Sequence, residues 1–211
     1  MIGTWHFEER KIDGAFELDG GAINASFIPE GFLGDALCFS GQDSLAEIPV
    51  KYDPAFDLTD GFAIDFVVRK DGTGGGRVLR MGDSIGIDIG GAGQVRAWFK
   101  YRVEKDGRTQ PGGEIRLESF AGAIPQERWT RMRVQYDRTR FQLSIDGVVV
   151  DTELVAAPVQ KIEDSLVLSD RRRPFPGCVD TLVVSAVTAD EPIMLPETVR
   201  FVSDVPREIH F

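Results

Sequence analysis

The side chains that most often perform catalysis or bind transition metals are scarce in this sequence. It contains only two histidines, His6 and His210, and two cysteines, Cys38 and Cys178. Neither histidine has a recognisable nucleophile partner, so Ser/His/Asp and Cys/His catalysis are not indicated. Two histidines and two distant cysteines are also too few ligands for a zinc-type site. The sequence therefore predicts a protein that is not an enzyme of these kinds.

Paired carboxylates could instead hydrolyse glycosidic bonds, and the best-spaced pair is Glu114 and Glu118. A retaining glycosidase holds its two carboxyl groups about 5–5.5 Å apart. Residues four apart on a strand share a face, but their carboxyl groups lie further apart than that. A solvated strand edge explains the pair better, and a glycoside hydrolase is only a third hypothesis for this chain.

Arginines alternate with a tryptophan and an aspartate in segments that could form the solvent face of one sheet. The candidate ligand-binding residues are Asp88, Arg96, Trp98, Arg131 and Arg133. Tryptophan stacks on sugar rings and guanidinium groups, and arginine binds carboxylates or sulfates through paired hydrogen bonds. The pattern fits a shallow groove for an anionic glycan or an acidic protein segment. It also fits a solvated face of cross-strand ion pairs, with Trp98 packed beneath arginine side chains.

Charge limits the partners of the whole chain. With 24 Lys and Arg against 34 Asp and Glu, the net charge is −10, which argues against a general nucleic-acid binder. Arg171, Arg172 and Arg173 form a short cationic run. For this run we expect an ion-pair anchor to the acidic surface of the same protein.

These residues must be positioned by strands, because period-2 alternation of apolar and polar residues dominates and helical periodicity is almost absent. The alternating segments are 62–68, 85–89, 95–101, 129–136 and 141–145. Gly-rich turns such as Asp146-Gly147 separate them, which predicts an all-β sandwich or barrel. No apolar stretch approaches the ~18–20 residues of a membrane helix. The first residues also lack the apolar core of a signal peptide.

Four short motifs follow one another in a fixed order. They are residues 34–41 with Ile48-Pro49, residues 56–62, residues 129–137 with 141–147, and residues 175–185. Together they resemble the concanavalin A-like, laminin-G-like jelly-roll domain superfamily over most of the chain. The resemblance implies a two-sheet antiparallel jelly-roll sandwich in residues 1–188. The proline-containing residues 189–211 then form a C-terminal arm, with an edge strand possible at Val199–Val205.

This fold carries lectins, enzymes and adhesion modules, so the resemblance does not by itself fix a function. The predicted function is a non-catalytic recognition module that binds carbohydrate or another extracellular polymer. The resemblance favours an extracellular or cell-surface location. The alternative is a structural or protein-interaction domain of a larger assembly, in which the arm pairs with a partner by strand addition.

Domains of this superfamily often bind one calcium ion at a sandwich edge, and Asp180 stands at the corresponding closing-strand position. Alternation indicates that Asp180 points inward, and Glu8 could lie nearby, so these two are the candidate Ca²⁺ ligands. A buried carboxylate requires a cation or hydrogen bonds. The alternative is therefore that Asp180 accepts backbone N–H bonds or pairs with an arginine.

Alternation also bears on the two cysteines. If Leu37 and Phe39 face the core, Cys38 points outward, whereas Cys178 is assigned to the core face together with Asp180. A disulfide between opposite faces is geometrically implausible, so the sequence predicts two free thiols.

Overall fold

A computed structural model of the chain describes residues 3–7, 12–14, 20–40, 43–50 and 54–187. The predicted C-terminal arm, residues 189–211, lies outside these residues, as do Glu8 and His210. The structure therefore bears on the predicted sandwich and leaves the arm as a prediction.

Strands make up almost all of the regular structure, and the helical part of the described residues is a 3₁₀ turn at Pro54–Phe56. The strands are β1 (Gly3–His6), β2 (Asp13–Gly14), β3 (Gly21–Ile23), β4 (Ala25–Ile28), β5 (Ala36–Phe39), β6 (Leu45–Ile48), β7 (Phe62–Lys70), β8 (Gly76–Met81), β9 (Ile85–Ile89), β10 (Val95–Lys105), β11 (Arg108–Glu118), β12 (Trp129–Tyr136), β13 (Arg140–Ile145), β14 (Val148–Leu154), β15 (Leu166–Leu168) and β16 (Gly177–Ala186).

These strands form two antiparallel sheets. The nine-stranded sheet has the order β14-β13-β12-β7-β16-β1-β2, with β5 also paired to β16 and β4 to β5. The seven-stranded sheet has the order β11-β10-β9-β8-β15-β6-β3. The predicted all-β, two-sheet antiparallel sandwich is confirmed. Within the described part of the chain, no helix has the length and apolar character needed to cross a membrane.

The core lies between the sheets and is built from the apolar half of each alternating strand. Its aromatic group consists of Phe62 from β7, Tyr136 from β12 and Phe141 from β13, packed against Phe99 from β10 of the other sheet. The ring centroids are 4.6 to 6.4 Å apart. Burying each such ring contributes roughly 1.5–3 kcal/mol, so this cluster holds the two sheets together.

A β-bulge in β16 changes the face that its residues occupy. The register against β7 shifts between Asp180 and Val183, and Thr181 has a φ of 46°, which is rare for a β-branched residue. Val179 and Leu182 both pack in the core although they are three residues apart. Counting strict alternation through this bulge therefore assigns the first part of β16 to the wrong face.

Cys38 and Cys178 form a disulfide, so the prediction of two free thiols is wrong. The two residues are direct partners in the pairing of β5 with β16, and their Cα atoms are 4.0 Å apart. Because Val179 faces the core, Cys178 points to the opposite side of the sheet, as Cys38 does. Strict alternation assigns Cys178 to the core face because it does not account for the bulge between Asp180 and Val183.

Candidate functional site

The five candidate ligand-binding residues lie on two different surfaces. Asp88, Arg96 and Trp98 belong to β9 and β10 of the seven-stranded sheet, whereas Arg131 and Arg133 belong to β12 of the nine-stranded sheet. The expectation that they share the solvent face of one sheet is therefore wrong. Alternation predicts which residues of a strand share a face, but it does not predict which strands share a sheet.

On the outer face of the nine-stranded sheet, the polar side chains pair with one another. Arg133 Nη1 donates to Asp65 Oδ2 at 2.7 Å, and Arg131 Nη2 lies 3.6 Å from Asp65 Oδ1. Arg133 Nε also donates to Gln135 Oε1 at 2.8 Å. The Gln135 amide in turn donates to Gln142 Oε1 at 2.7 Å. This face matches the alternative interpretation, a surface of cross-strand polar pairs.

Trp98 is covered by its neighbours, and only 8% of its surface is exposed. Its indole lies over Gly86 of β9, where a Cβ atom would collide with the ring. The guanidinium carbon of Arg77 lies 5.6 Å from the ring centroid, and Lys100 Nζ lies 6.0 Å from it. A ligand would have to displace these cations before it could stack on the ring.

A groove with a volume of about 570 Å³ lies on the outer face of the seven-stranded sheet. It crosses β8, β15, β6 and β3, which are neighbours in the sheet. Ile23, Leu45 and Val167 form an apolar strip along it, in which Ile23 is 45% exposed whereas Leu45 and Val167 are only 8% and 5% exposed. Cross-strand pairing sets Leu45 beside Ile23 and Val167 beside Glu47. The groove thus combines an apolar strip with adjacent polar groups, as ligand sites commonly do.

Arg77 and Arg80 both line the groove because of a second β-bulge. Residues three apart in a regular strand point to opposite faces. The register of β8 against β9 shifts between Arg77 and Leu79, and Val78 and Leu79 are both buried. The extra residue returns Arg80 to the outer face. Alternation alone does not place either arginine in a groove, and the adjacent apolar pair between them is the signal that could have revealed the bulge.

Asp170 fixes these arginines to the turn that follows β15. Its Oδ2 lies 3.3 Å from Arg80 Nε and 3.7 Å from Arg77 Nη1. Its Oδ1 accepts the N–H of Arg172 at 2.8 Å, which is the hydrogen bond of an Asx turn. The Arg77 amide donates to the carbonyl of Arg173 at 2.8 Å. The turn is therefore held against the start of β8.

Among the residues that the structure describes, Arg173 anchors the turn by an ion pair, and Arg171 and Arg172 do not. Arg173 Nη1 donates to Asp88 Oδ2 at 2.9 Å, and Arg77 Nε donates to Asp88 Oδ1 at the same distance. Arg171 and Arg172 line the groove, are exposed, and form no salt bridge with a carboxylate in the described parts of the chain. The predicted anchor to the protein's own acidic surface therefore holds for Arg173 alone.

The two ends of the groove differ in charge. The pairing of β15 with β6 ends at Leu168 and Ala46, and Ala46 is adjacent to Leu45 of the apolar strip. The turn with Arg171 and Arg172 therefore begins at this end of the groove. Asp83 and Asp164 line the other end, where β8 finishes and β15 starts. Guanidinium groups bind anions, whereas carboxylates accept hydrogen bonds from hydroxyl groups. The groove can therefore orient a ligand that carries both kinds of group.

Asp180 is buried, and backbone and hydroxyl donors stabilise its carboxylate. Its Oδ2 accepts the N–H of Leu33 at 2.7 Å, and the Thr181 hydroxyl donates to Oδ1 at 3.1 Å. This is the hydrogen-bonded alternative from the sequence analysis. Among the residues that the structure describes, no group of three or more His, Cys, Asp or Glu could hold a metal ion. Calcium binding at Asp180 and Glu8 stays a prediction.

Glu114 and Glu118 of β11 are both engaged by arginines. Arg116 Nη2 donates to Glu114 Oε1 at 2.6 Å, and this hydrogen bond raises the pKa of the Arg116 guanidinium. Arg96 Nε donates to Glu118 Oε1 at 2.7 Å. These contacts fit the solvated strand edge expected for the pair.

The carboxyl groups with lowered pKa values lie in turns away from the groove. The hydroxyl of Thr59 donates to Asp57 and is the main cause of the lowered pKa of that carboxyl. Burial alone would raise the pKa of Asp137, but hydrogen bonds from Thr139 and from the Arg140 amide outweigh it and lower the pKa. Both carboxylates stabilise turns, and neither lines the groove.

No protein-family model matches the chain, and no curated protein matches its sequence. Solved structures do match. The binding domain of botulinum neurotoxin DC in complex with SialylT has a TM-score of 0.63 at 12% identity, covering 88% of this chain and 48% of that chain. The binding domain of Paraclostridial Mosquitocidal Protein 1 gives 0.64 at 12% identity, with the same coverage of 88% and 48%.

A third match is domain 4 of AbnA, a GH43 extracellular arabinanase from Geobacillus stearothermophilus, in complex with arabinotriose. It has a TM-score of 0.60 at 15% identity and covers 88% of this chain and 92% of that chain. The chain spans about half the length of the first two proteins and nearly all of the arabinanase domain. At these identities the comparisons establish a shared β-sandwich fold.

Proposed function

We propose that the chain is a non-catalytic carbohydrate-binding module and that its binding site is the groove on the seven-stranded sheet. The observation that carries the proposal is the combination, in this one groove, of a partly exposed apolar strip with fixed polar side chains. A sugar presents an apolar ring face and a rim of hydroxyl groups, so its site needs both. Ile23 supplies most of the accessible apolar surface, and the largely buried Leu45 and Val167 border it. Arg80 and Glu47 lie in the same row of paired strands as Val167.

The fold neighbours support a recognition role. Domain 4 of AbnA is a discrete domain in complex with arabinotriose, and the botulinum neurotoxin binding domain is in complex with SialylT. The motifs that resemble concanavalin A-like and laminin-G-like domains are compatible with this role, because that fold carries lectins among other proteins. The choice of carbohydrate over another polymer rests on the groove itself.

The disulfide between Cys38 and Cys178 supports an extracellular or cell-surface location. Disulfides form and persist in oxidising compartments and are rare in the cytosol. Carbohydrate polymers outside the cell are accessible to a protein in that location.

A glycan array followed by calorimetric titration with the best-bound oligosaccharide tests this function. We expect binding to at least one carbohydrate, and we expect Ile23→Ser to weaken it about ten-fold. The reason is that an aliphatic side chain covered by a ligand contributes about 1.5 kcal/mol. Ile23 is 45% exposed and lies in an edge strand, so the substitution should leave the fold intact.

Val149→Ser is the matched control. Val149 is 51% exposed, lies in β14 at the edge of the other sheet, and does not line the groove. It should bind the same oligosaccharide as tightly as the unchanged protein. An array without any bound carbohydrate would refute the proposed function, and equal losses in the two variants would refute the assignment to the groove.

A further inference from the structure

We infer that the groove binds an acidic carbohydrate and that Arg171 and Arg172 hold the carboxylate or sulfate of one sugar unit. The inference rests on the proposed function and specifies its ligand. It follows from three observations: which groove arginines form ion pairs, which hydrogen bonds hold the turn that carries Arg171 and Arg172, and where that turn lies in the groove.

The first observation is the state of the arginines that line the groove, which are Arg77, Arg80, Arg171, Arg172 and Arg173. Arg77, Arg80 and Arg173 form ion pairs with Asp88, Asp164 or Asp170. Arg171 and Arg172 form none with the carboxylates that the structure describes. Their charges are therefore available to an anion, and a guanidinium binds a carboxylate or sulfate through two parallel hydrogen bonds.

The second observation is that the turn is fixed before any ligand arrives. The Asp170 carboxylate accepts the Arg172 N–H at 2.8 Å, and the Asp170 carbonyl accepts the Arg173 N–H at 3.0 Å. Ser169 Oγ accepts the N–H of Phe175 at 3.1 Å, which closes the turn on its other side. Fixing the backbone in advance reduces the entropy lost on binding. The turn therefore holds two adjacent cationic residues at fixed backbone positions.

The third observation is the position of this cationic pair relative to the rest of the groove. The turn follows Leu168, which is paired with Ala46 next to Leu45, and Arg171 and Arg172 line the same groove as the apolar strip. Asp83 and Asp164 line the opposite end. A sugar whose ring covers the strip would direct an acidic substituent toward the arginines and hydroxyl groups toward the carboxylates. A neutral sugar would leave the two cations unused.

The array for this test contains matched pairs: uronic-acid oligosaccharides with their methyl esters, and sulfated oligosaccharides with their desulfated forms. We expect the bound members to be acidic and to lose at least about ten-fold in affinity when the charge is removed. The ester pairs and the sulfate pairs distinguish the two sources of negative charge.

The variant Arg171→Gln/Arg172→Gln should lose the same preference for the acidic member of each pair. Arg171→Lys/Arg172→Lys should retain part of it, because lysine keeps the charge without the paired hydrogen bonds. Lys105→Gln/Arg108→Gln is the matched control. It removes two exposed cations from the β10–β11 hairpin, changes the net charge equally, and should bind as the unchanged protein does.

Equal binding of acidic and neutral members, with Ile23→Ser still weakening both, would overturn this inference and leave the proposed function intact. Binding to no carbohydrate at all would overturn both. A polyglutamate peptide that binds as tightly as the best acidic glycan, and depends equally on Arg171 and Arg172, would identify an acidic protein segment as the ligand and overturn the inference.

Discussion

Asp88 links Trp98 to the turn that carries Arg171 and Arg172. Its side chain is only 5% exposed, and it accepts hydrogen bonds from Arg77 and Arg173. Arg77 in turn covers the ring of Trp98. A buried carboxylate with two charge-assisted hydrogen bonds fixes both donors, so the sequence-predicted residues Asp88 and Trp98 support the groove from the neighbouring strands β9 and β10.

We predict that Arg77→Ala, which removes one of the two partners of Asp88, lowers the free energy of unfolding by about 2–3 kcal/mol. Removing one partner of a buried ion pair leaves the other charge incompletely compensated, and Arg173 remains to offset part of the loss. The substitution should also open the ring of Trp98 to solvent. Denaturant unfolding measures the first effect, and acrylamide quenching of tryptophan fluorescence measures the second.

Arg96→Ala is the control, because Arg96 is the other cross-strand neighbour of Asp88 but pairs with Glu118 in a surface ion pair, both side chains 41% exposed. Exposed pairs contribute about 1 kcal/mol or less. If Arg96→Ala and Arg77→Ala destabilise the protein equally, the buried pair has no special role.

Among the elements, regular strands follow from the sequence, and the bulges do not. Alternation in 62–68 and 141–145 predicts strands and their buried faces, because side chains point to opposite sides with a period of two. A bulge adds one residue and leaves little trace in the sequence beyond a local break in the alternation, as at Val78 and Thr181. It thereby reverses the faces assigned beyond it. The disulfide and the groove arginines Arg77 and Arg80 were missed for this reason.

The pairing of strands into sheets was also beyond the sequence. Asp88 and Arg133 have similar local patterns, and only long-range packing places them on opposite sides of the core. The groove depends on β8, β15, β6 and β3, which are far apart in the chain. Its four strands become neighbours through crossovers, which local alternation cannot specify.

The β12–β13 hairpin turn provides a prediction about pH. The lowered pKa of Asp137 means that the folded state favours the charged carboxylate. Its contribution to stability is therefore present above the unfolded value of about 3.9 and is lost as pH falls through the folded pKa. We expect Asp137→Asn to lower the free energy of unfolding by about 1 kcal/mol at neutral pH, because the amide is a weaker acceptor. Urea unfolding at a series of pH values should show this difference shrinking below about pH 4.

Thr139→Ala is the companion variant for this turn. It removes the hydroxyl donor to Asp137 but keeps the amide donors of Thr139 and Arg140, so its effect at neutral pH should be the smaller one. A difference between Asp137→Asn and the unchanged protein that stays constant down to low pH would show that the carboxylate charge does not stabilise the turn.

At the scale of the whole molecule, Arg171 and Arg172 are two exposed cations on a chain with a net charge of −10. Surface charges interact over roughly 8 Å at physiological ionic strength. Arg171 and Arg172 therefore attract an anion only at short range, whereas a long polyanion would also meet the acidic remainder of the surface. This distribution favours a single acidic substituent on a largely neutral ligand over a nucleic acid.

The disulfide provides the last prediction, because it links β5 to β16 across a sequence separation of 140 residues. Closing so long a loop restricts the unfolded chain, and such bonds contribute about 2–4 kcal/mol. Cys38→Ala/Cys178→Ala should lower the free energy of unfolding by that amount in guanidinium chloride, and reducing agent should bring the unchanged protein toward the same midpoint. Because β5 and β16 belong to the nine-stranded sheet, the folded variant should retain binding in the groove on the other sheet. If the reduced and oxidised proteins unfold at the same denaturant concentration, the bond does not stabilise the sandwich.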